Sequence, residues 1–232
     1  MVIYLFFRQR SDMPFFKKYG RFNIYMPSDF TVHGIDVSHH NSIINFGYVK
    51  KMNVDGIKLR FVFIKATEGT SFSDALFNRN WKEAKKYAIH RGAYHFFRPG
   101  VSGKAQAKFF IRKVKLQPGD LPPVLDIEQF GNSNVEDFQK QVEICLNELE
   151  NYYDAKPMIY ASVSFYKKYL GDSFDQYPLW IAHYTKRSMP QINRDWAFWQ
   201  HSERGTVDGI NTRVDFNVFN GDSAMLARLL VK

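Results

Sequence analysis

The stretch LPPVLDIEQF at residues 121–130 decides the fold class that this sequence predicts. A pair of prolines opens an apolar run around Leu125 that shows no polar alternation, which is typical of a parallel strand buried on both faces. Asp126 and Glu128 are two residues apart, so a strand carries both on one face. Two carboxylates at the end of a buried strand are costly unless they face a cleft. The stretch therefore predicts the acid groups of an enzyme. The alternative is an edge strand that carries both acids on its solvent-exposed face.

Strand and helix patterns alternate on both sides of this stretch. Eight apolar runs predict strands at residues 33–38, 61–66, 92–97, 124–128, 158–161, 179–182, 197–200 and 213–216. Helical patterns fill the gaps near residues 75–90, 102–114, 134–152 and 163–169, and residues 223–230 predict a short closing helix. Alternation of this kind predicts a mostly parallel sheet, and eight strands predict its closure into a single α/β barrel.

Two details of the pattern bear on element boundaries. Ser133, followed three residues later by Glu136, predicts a capping box at the start of the third helix. After about residue 182 the gaps between strands are shorter and richer in Gly, Asn and Asp, so we expect loops or hairpins between the late strands.

The chain length of 232 residues suits one large barrel domain, which we place at residues 33–232 because no repeat or linker divides them. Residues 1–32 form a basic, Phe-rich segment that we interpret as an N-terminal arm or as the flank of a removed export or anchor segment. Its apolar run at residues 2–7 is too short for a membrane span. Cys145, the only cysteine, rules out an intramolecular disulfide framework and lies on an apolar helical stripe.

The formal net charge of +9 favours a polyanionic partner. No helix-turn-helix, zinc-finger or RNP signature accompanies that charge, so we expect no nucleic-acid partner. An anionic polymer of the cell envelope is the partner that we consider instead.

Polar residues stand at the ends of nearly all the predicted strands. Because active sites of α/β barrels are assembled at the carboxyl ends of several strands, their repeated placement favours a site there. The candidates drawn from this set are Asp36, Tyr94, Asp126, Glu128, Tyr160, Trp180, Tyr184, Gln200, Asp215 and Asn217.

These segments, in this order, resemble glycoside hydrolase family 25, the muramidases often called Chalaropsis-type lysozymes. The matching segments are GIDVSHHN at 34–41, FIKATEGTSFSD at 63–74, GAYHFFRPG at 92–100, LPPVLDIE at 121–128, PMIYAS at 157–162, LWIAHY at 179–184, FWQHSERGTVDGI at 198–210 and VDFNVFNG at 214–221. The resemblance implies a flattened, irregular α/β barrel with five helix-linked strands and three more loosely connected ones.

The resemblance also implies the activity, which is hydrolysis of the β-1,4 bond between N-acetylmuramic acid and N-acetylglucosamine in peptidoglycan. Glu128 matches the general acid. We expect repulsion from Asp126, Asp36 and Asp215 to raise the Glu128 pKa. Asp126 matches the second catalytic carboxylate, and we favour a role in which it orients the N-acetyl group of the substrate, with net retention, over a role as nucleophile.

The remaining candidates are given supporting roles. Asp36 and Asp215 are expected to hold charge and hydrogen bonds at the cleft floor. Sugar contacts are expected from Tyr94, Tyr160, Trp180 and Tyr184, with Gln200 and Asn217 as polar helpers; core packing is the alternative for each aromatic residue. We expect no metal, no cofactor, a monomer, and a location outside the cell, in the periplasm or in the envelope.

Two other functions compete with this interpretation. A chitinase-like barrel uses a similar Asp-x-Glu strand, but such barrels carry a further Asp two residues earlier, where this chain has Val124. A catalytically inactive glycan-binding module is the second competitor, and the presence of all four acids argues against it.

Overall fold

The computed structural model of the protein describes residues 15–184 and 188–232. Its strands are β1 Phe16–Tyr19, β2 Ile24–Pro27, β3 His33–Val37, β4 Leu59–Glu68, β5 Phe72–Ser73, β6 His90–Phe96, β7 Val124–Asp126, β8 Met158–Ser162, β9 Leu179–Ala182, β10 Phe198–Gly205 and β11 Val214–Phe219. Its α-helices are α1 Phe46–Lys51, α2 Phe77–Lys86, α3 Gly103–Lys113, α4 Val135–Tyr153, α5 Val163–Phe165 and α6 Ser223–Leu229. A π-helical turn, Tyr166–Leu170, follows α5 directly.

Eight of these strands close into a barrel in the order β3, β4, β6, β7, β8, β9, β10, β11 and back to β3. Neighbours from β3 round to β10 are parallel, whereas β11 runs antiparallel to both β10 and β3. Helical segments link the first six barrel strands, and loops link the last ones. The predicted α/β barrel and its eight strands are confirmed.

Aromatic side chains fill the barrel interior because glycines on neighbouring strands make room for them. A Cβ atom on Gly34 would lie 2.5 Å from the Phe61 ring, and one on Gly92 would lie 2.5 Å from the Phe63 ring. The Phe63 ring stacks on Trp180 with ring centroids 4.3 Å apart. This packed layer forms a solid base below the carboxyl ends of the strands.

A second apolar layer lies between the barrel and its helices. The longest helix, α4, contributes Phe138, Val142, Cys145, Leu146 and Leu149 to it, all buried. The α4 cap corrects the predicted capping box: the Asn134 side chain, not Ser133, accepts a hydrogen bond from the Asp137 backbone N–H, at 2.8 Å. The helix therefore begins one residue later than predicted.

Residues 15–32 pack against the barrel where no helix covers it. The β1–β2 hairpin lies over the outer face of β10 and β11, and the buried Phe22 and Phe30 contact Phe216 and Trp199 edge to face. Residues 1–14, which include Arg8 and Arg10 of the basic segment, lie outside the described residues. The domain boundary at residue 33 stays a prediction.

None of the helices in the described ranges is long and apolar enough to cross a membrane.

Candidate active site

Four carboxyl groups meet at one end of the barrel. Asp36 lies near the end of β3, Asp126 ends β7, and Glu128 follows two residues later. Asp215 lies near the start of β11, directly opposite Asp36 in the strand register. The sequence pattern placed Asp215 at the end of its strand. It reaches the cleft instead because β11 runs antiparallel, so that the beginning of β11 lies beside the end of β3.

Buried amides hold Asp36 in place. Oδ2 of Asp36 accepts hydrogen bonds from Nε2 of Gln200 at 2.9 Å and from Nδ2 of Asn217 at 2.7 Å. The hydroxyl of Tyr160 donates to Oε1 of Gln200 at 2.8 Å, and Nε1 of Trp180 donates to Oδ1 of Asn217 at 2.7 Å. Each amide thus has a donor on its oxygen and an acceptor for its nitrogen, which fixes its orientation.

Asp36 and Asp215 form a carboxyl pair that retains a proton. Burial raises the pKa of Asp215 to about 9, with a further contribution from the negative charge of Asp36. Burial also raises the pKa of Asp36, while hydrogen bonds from Asn217 and Gln200 oppose that change. Because two adjacent carboxylates repel each other, the pair releases its second proton at a higher pH than its first.

Asp126 and Glu128 have different access to water. Asp126 is buried, and its Oδ1 meets no hydrogen-bond donor among the described residues. Glu128 is exposed at the mouth of the cleft. Burial is the main cause that raises the pKa of Asp126, and the negative charge of Glu128 is the next largest. Partial burial in the cleft wall raises the pKa of Glu128, and the negative charge of Asp36 adds to that increase, while the nearby Tyr160 hydroxyl opposes it.

The expected cause of the raised Glu128 pKa needs correction. Desolvation contributes most, and repulsion from Asp36 adds to it. We expected Asp215 to contribute as well. Its own pKa is raised to about 9, so it is mostly protonated and carries little charge at neutral pH.

A cationic network that the strand-end pattern did not single out borders the acids. Nζ of Lys65 lies 2.7 Å from Oε2 of Glu68, and Nε of Arg98 donates to Oε1 of Glu68 at 2.8 Å. Nη1 of Arg98 also donates to Oε1 of Gln129, next to Glu128, at 2.6 Å. The charge of Lys65 partly lowers the pKa values of Asp126 and Glu128. The position of Lys65 and Glu68 after the second predicted strand was the signal available in the sequence.

The aromatic candidates occupy different depths. Tyr184 is 44% exposed at the cleft mouth, and Tyr94 is partly buried below it. Tyr160 is buried, with its hydroxyl in the amide network. Trp180 is 2% exposed beneath that network, so the core-packing alternative describes its position. Its contact with the cleft is indirect, through Asn217.

No group of three or more His, Cys, Asp or Glu side chains in the described ranges could hold a metal ion. The carboxyl groups themselves have a clear chemical capability. An exposed carboxyl with a raised pKa can donate a proton, and a second carboxyl beside it can stabilise or attack a cationic centre. This pairing is the machinery of glycoside hydrolysis.

Comparison with known proteins agrees with that chemistry. Residues 35–210 match the family described as "Glycosyl hydrolases family 25". The chain is 46% identical to "Uncharacterized protein YegX" of Escherichia coli (strain K12) over 86% of this chain and 74% of the relative. It is 36% identical to "Lysozyme M1" of Streptomyces globisporus over 85% of this chain and 71% of the relative.

A solved structure described as a family 25 glycosyl hydrolase from Bacillus anthracis superposes with a TM-score of 0.80 at 32% identity, over 87% of this chain and 94% of that one. Sequence, fold and paired carboxyl groups lead to one conclusion: this chain belongs to glycosyl hydrolase family 25 and is a glycoside hydrolase.

Proposed function

We propose that the protein is a muramidase that hydrolyses the β-1,4 bond between N-acetylmuramic acid and N-acetylglucosamine in peptidoglycan. One observation carries the proposal: a buried carboxyl, Asp126, with an unpaired oxygen lies two residues before the solvent-exposed carboxyl of Glu128. The name of the Streptomyces globisporus relative, a lysozyme, supports the choice of substrate.

Glu128 acts as the general acid. Its exposure at the cleft mouth lets the glycosidic oxygen approach the carboxyl, and its raised pKa keeps a proton available at a higher pH than an ordinary glutamate allows. The side chain of the next residue, Gln129, accepts a hydrogen bond from Arg98. Glu128 therefore combines access for the substrate with an available proton.

Asp126 orients the N-acetyl group of the substrate. A buried carboxylate oxygen without a donor is unfavourable, and the amide N–H of an N-acetyl group would supply that donor. The same hydrogen bond favours the ionised form of Asp126, and the negative charge of Asp126 then helps the neighbouring Glu128 to keep its proton. The N-acetyl oxygen then attacks the anomeric carbon while the glycosidic C–O bond breaks, and the leaving oxygen takes the proton of Glu128. Water, which gives a proton back to the ionised Glu128, attacks the same carbon and opens the oxazolinium intermediate with net retention.

The other candidates shape the cleft around these two acids. Tyr94 and Tyr184 contact the sugars, and Tyr160, Gln200 and Asn217 hold Asp36 and Asp215 as a fixed negative charge below the developing positive centre. Trp180 supports Asn217 from below. The protein works as a monomer outside the cell, in the periplasm or in the envelope, where its substrate is found.

Purified peptidoglycan and chitin oligomers together test the substrate. We expect soluble fragments from peptidoglycan and no cleavage of chitin oligomers. Cleavage of chitin oligomers alone would contradict the proposal, because chitin lacks muramic acid.

Two mechanism probes separate the roles of Asp126. A thiazoline that mimics the bicyclic intermediate should inhibit competitively, and Asp126→Asn should greatly weaken that inhibition because the charge opposite the ring nitrogen is lost. A fluorinated sugar with a good leaving group should leave the protein unmodified. A glycosyl adduct on Asp126, detected by mass spectrometry, would contradict the N-acetyl route and establish Asp126 as the nucleophile.

A further inference from the structure

A basic depression lies on the outer surface of the barrel, away from the acids. It has a volume of about 470 Å³ and is formed by the second half of α2, the start of β6 and the segment between α3 and β7. We call it the basic depression and define it by its lining residues, which are Trp81, Lys82, Lys85, Lys86, Arg91, Lys115 and Gln117.

The charge of the basic depression is positive and only partly balanced. Five of its lining residues are cations. Two carboxylates face them: Asp120 pairs with Arg91 at 2.7 Å, and Glu83 lies 3.7 Å from Nζ of Lys86. Five cations against two carboxylates leave a net charge of three positive units in one concave surface.

The dipole of helix α2 accounts for only some of these lysines. Lys85 and Lys86 lie in the last turn of α2, where cations interact favourably with the helix dipole. Lys82 lies one turn earlier, is exposed, and has no acceptor among the described residues. Lys115 comes from a different segment, after α3, and its Nζ donates to the Ile111 carbonyl and to the Tyr152 hydroxyl, both at 3.0 Å. Two chain segments thus contribute lysines to one surface, and those of α2 supply its exposed ammonium groups.

The donors present suit phosphate groups. The only guanidinium of the basic depression, that of Arg91, already places Nε and Nη2 on Asp120 and Nη1 on the Trp81 carbonyl. Lys85 donates to the Gln117 side chain, and Lys115 donates to Ile111 and Tyr152. The ammonium groups that remain most open to a ligand are those of Lys82 and Lys86, which act as point charges; lysines are common phosphate ligands.

The same geometry disfavours a single-stranded nucleic acid. Trp81, the one aromatic lining residue, is 9% exposed, and Arg91 lies 3.9 Å from the centre of its ring. Its face is therefore not available for stacking on a base, which single-stranded nucleic acids require of their binding surfaces.

We propose that the basic depression binds the phosphate groups of an envelope polymer and retains the enzyme on its substrate layer. The location fits this role. Arg91 stands at the start of β6 and Phe96 at its end beside the cleft, which separates the two sites by roughly 16 Å along the strand. The cleft and the basic depression can therefore be occupied at the same time. The choice of an envelope polymer rests on the proposed function; the phosphate site does not.

The test compares two double variants with the same loss of charge. Lys82→Gln/Lys86→Gln removes two exposed ammoniums of the basic depression, and Lys167→Gln/Lys168→Gln removes two exposed ammoniums after β8. Binding of long-chain inorganic polyphosphate at low salt is measured by fluorescence anisotropy. We expect the first variant to raise Kd about tenfold and the second less than twofold, because roughly one counterion is released for each phosphate contact. Equal weakening in both variants would overturn the site, since only net charge would then matter.

Binding measurements with other polyanions identify the ligand. Polyglutamate of matched charge should bind at least fivefold more weakly than polyphosphate; equal binding would overturn the preference for phosphate. DNA of matched charge should also bind more weakly than polyphosphate. Tighter binding of DNA that depends on Lys82 and Lys86 would replace the envelope polymer with a nucleic acid as the ligand.

Sedimentation with intact walls tests the anchoring role. The fraction of enzyme that sediments with the walls should fall when hydrofluoric acid strips their phosphodiester polymers, and an unchanged fraction would overturn the anchoring role. Activity on a small soluble glycan, measured in parallel, should be unchanged in both variants, so a failure of catalysis remains distinguishable from a failure of binding.

Discussion

Asp126 and Glu128 lie two residues apart and meet different surroundings. The first is buried and has an unpaired oxygen, and the second is exposed at the cleft mouth. The residue pattern predicted that both acids share a face, because side chains alternate along a strand. It could not predict their depth, which depends on where β7 ends relative to its neighbours. That difference in depth is what separates a proton donor from an orienting carboxylate.

Glu128→Gln should abolish hydrolysis of peptidoglycan and leave the fold intact. The amide has nearly the same shape but cannot donate a proton to the leaving oxygen, and general acid catalysis is typically worth about 10²–10⁴-fold in rate. The rate of wall clearance, together with the circular dichroism spectrum, measures both effects. More than half of wild-type activity in a folded variant would refute the assignment.

The carboxyl pair below the acids predicts an order of pH effects. Asp215→Asn should leave the basic limb of the pH–rate profile in place, because Asp215 has a pKa of about 9 and is neutral below that pH. Asp36→Asn/Asp215→Asn removes the negative charge of the pair, so the raised pKa of Glu128 falls and the basic limb moves to lower pH. The limb is read from kcat/KM against pH on a soluble glycan. A downward shift in the Asp215 variant equal to that of the double variant would contradict the shared proton.

At the scale of elements, the positions of the strands were more predictable than the strand directions or the helix caps. Apolar runs bounded by turn residues marked all eight barrel strands. The antiparallel direction of β11 follows from the short connection after β10, because parallel neighbours need a crossover of about a dozen residues. Ser133 and Asn134 are both good cap residues, so residue type alone does not choose between them, and Asn134 is the residue that caps α4. The β1–β2 hairpin carried no apolar alternation strong enough to predict it.

Two buried histidines, His33 and His201, predict that acid destabilises the folded protein. Burial lowers the pKa of His201 to about 3, and neither of its ring nitrogens has a partner among the described residues. Burial likewise lowers the pKa of His33 to about 4. The unfolded chain binds protons at these side chains below about pH 6.5, whereas the folded chain does not, so stability falls as the pH decreases from 6.5 towards these values.

His201→Phe should reduce this sensitivity. Phenylalanine suits the contacts with Trp199 and Phe216 and cannot take up a proton. We expect a smaller loss of Tm between pH 7 and pH 4.5 than in the wild type, measured by thermal unfolding. His40→Asn, at an exposed position, is the control and should behave like the wild type. Equal acid sensitivity in all three proteins would show that His201 does not contribute.

At the scale of the whole molecule, the net charge of the chain and the charge of the cleft have opposite signs. The chain carries a net charge of +9, while the cleft gathers four acids. Composition alone predicted attraction to a polyanion but not where the polymer would bind, since location depends on which lysines the fold brings together. The network of Lys65, Glu68 and Arg98 escaped prediction for the same reason: its members come from β4 and from the loop after β6.

Salt should separate capture of the wall from catalysis. Exposed charges are screened beyond roughly 8 Å at physiological ionic strength, so activity on intact walls that carry anionic polymer should fall as salt rises. Activity on a small soluble glycan should fall much less. Initial rates on both substrates across a salt series provide the measurement, and equal sensitivity would place the basic surface outside substrate capture.

The central claim is that this chain cleaves peptidoglycan on the muramic acid side with retention. The most direct test is identification of the new reducing ends released from purified peptidoglycan, by borohydride reduction and sugar composition, with early-time NMR of the anomeric proton. We predict reduced muramic acid and an initial β-anomer. Reduced glucosamine would contradict the cleavage site and indicate a glucosaminidase, and an initial α-anomer would contradict retention.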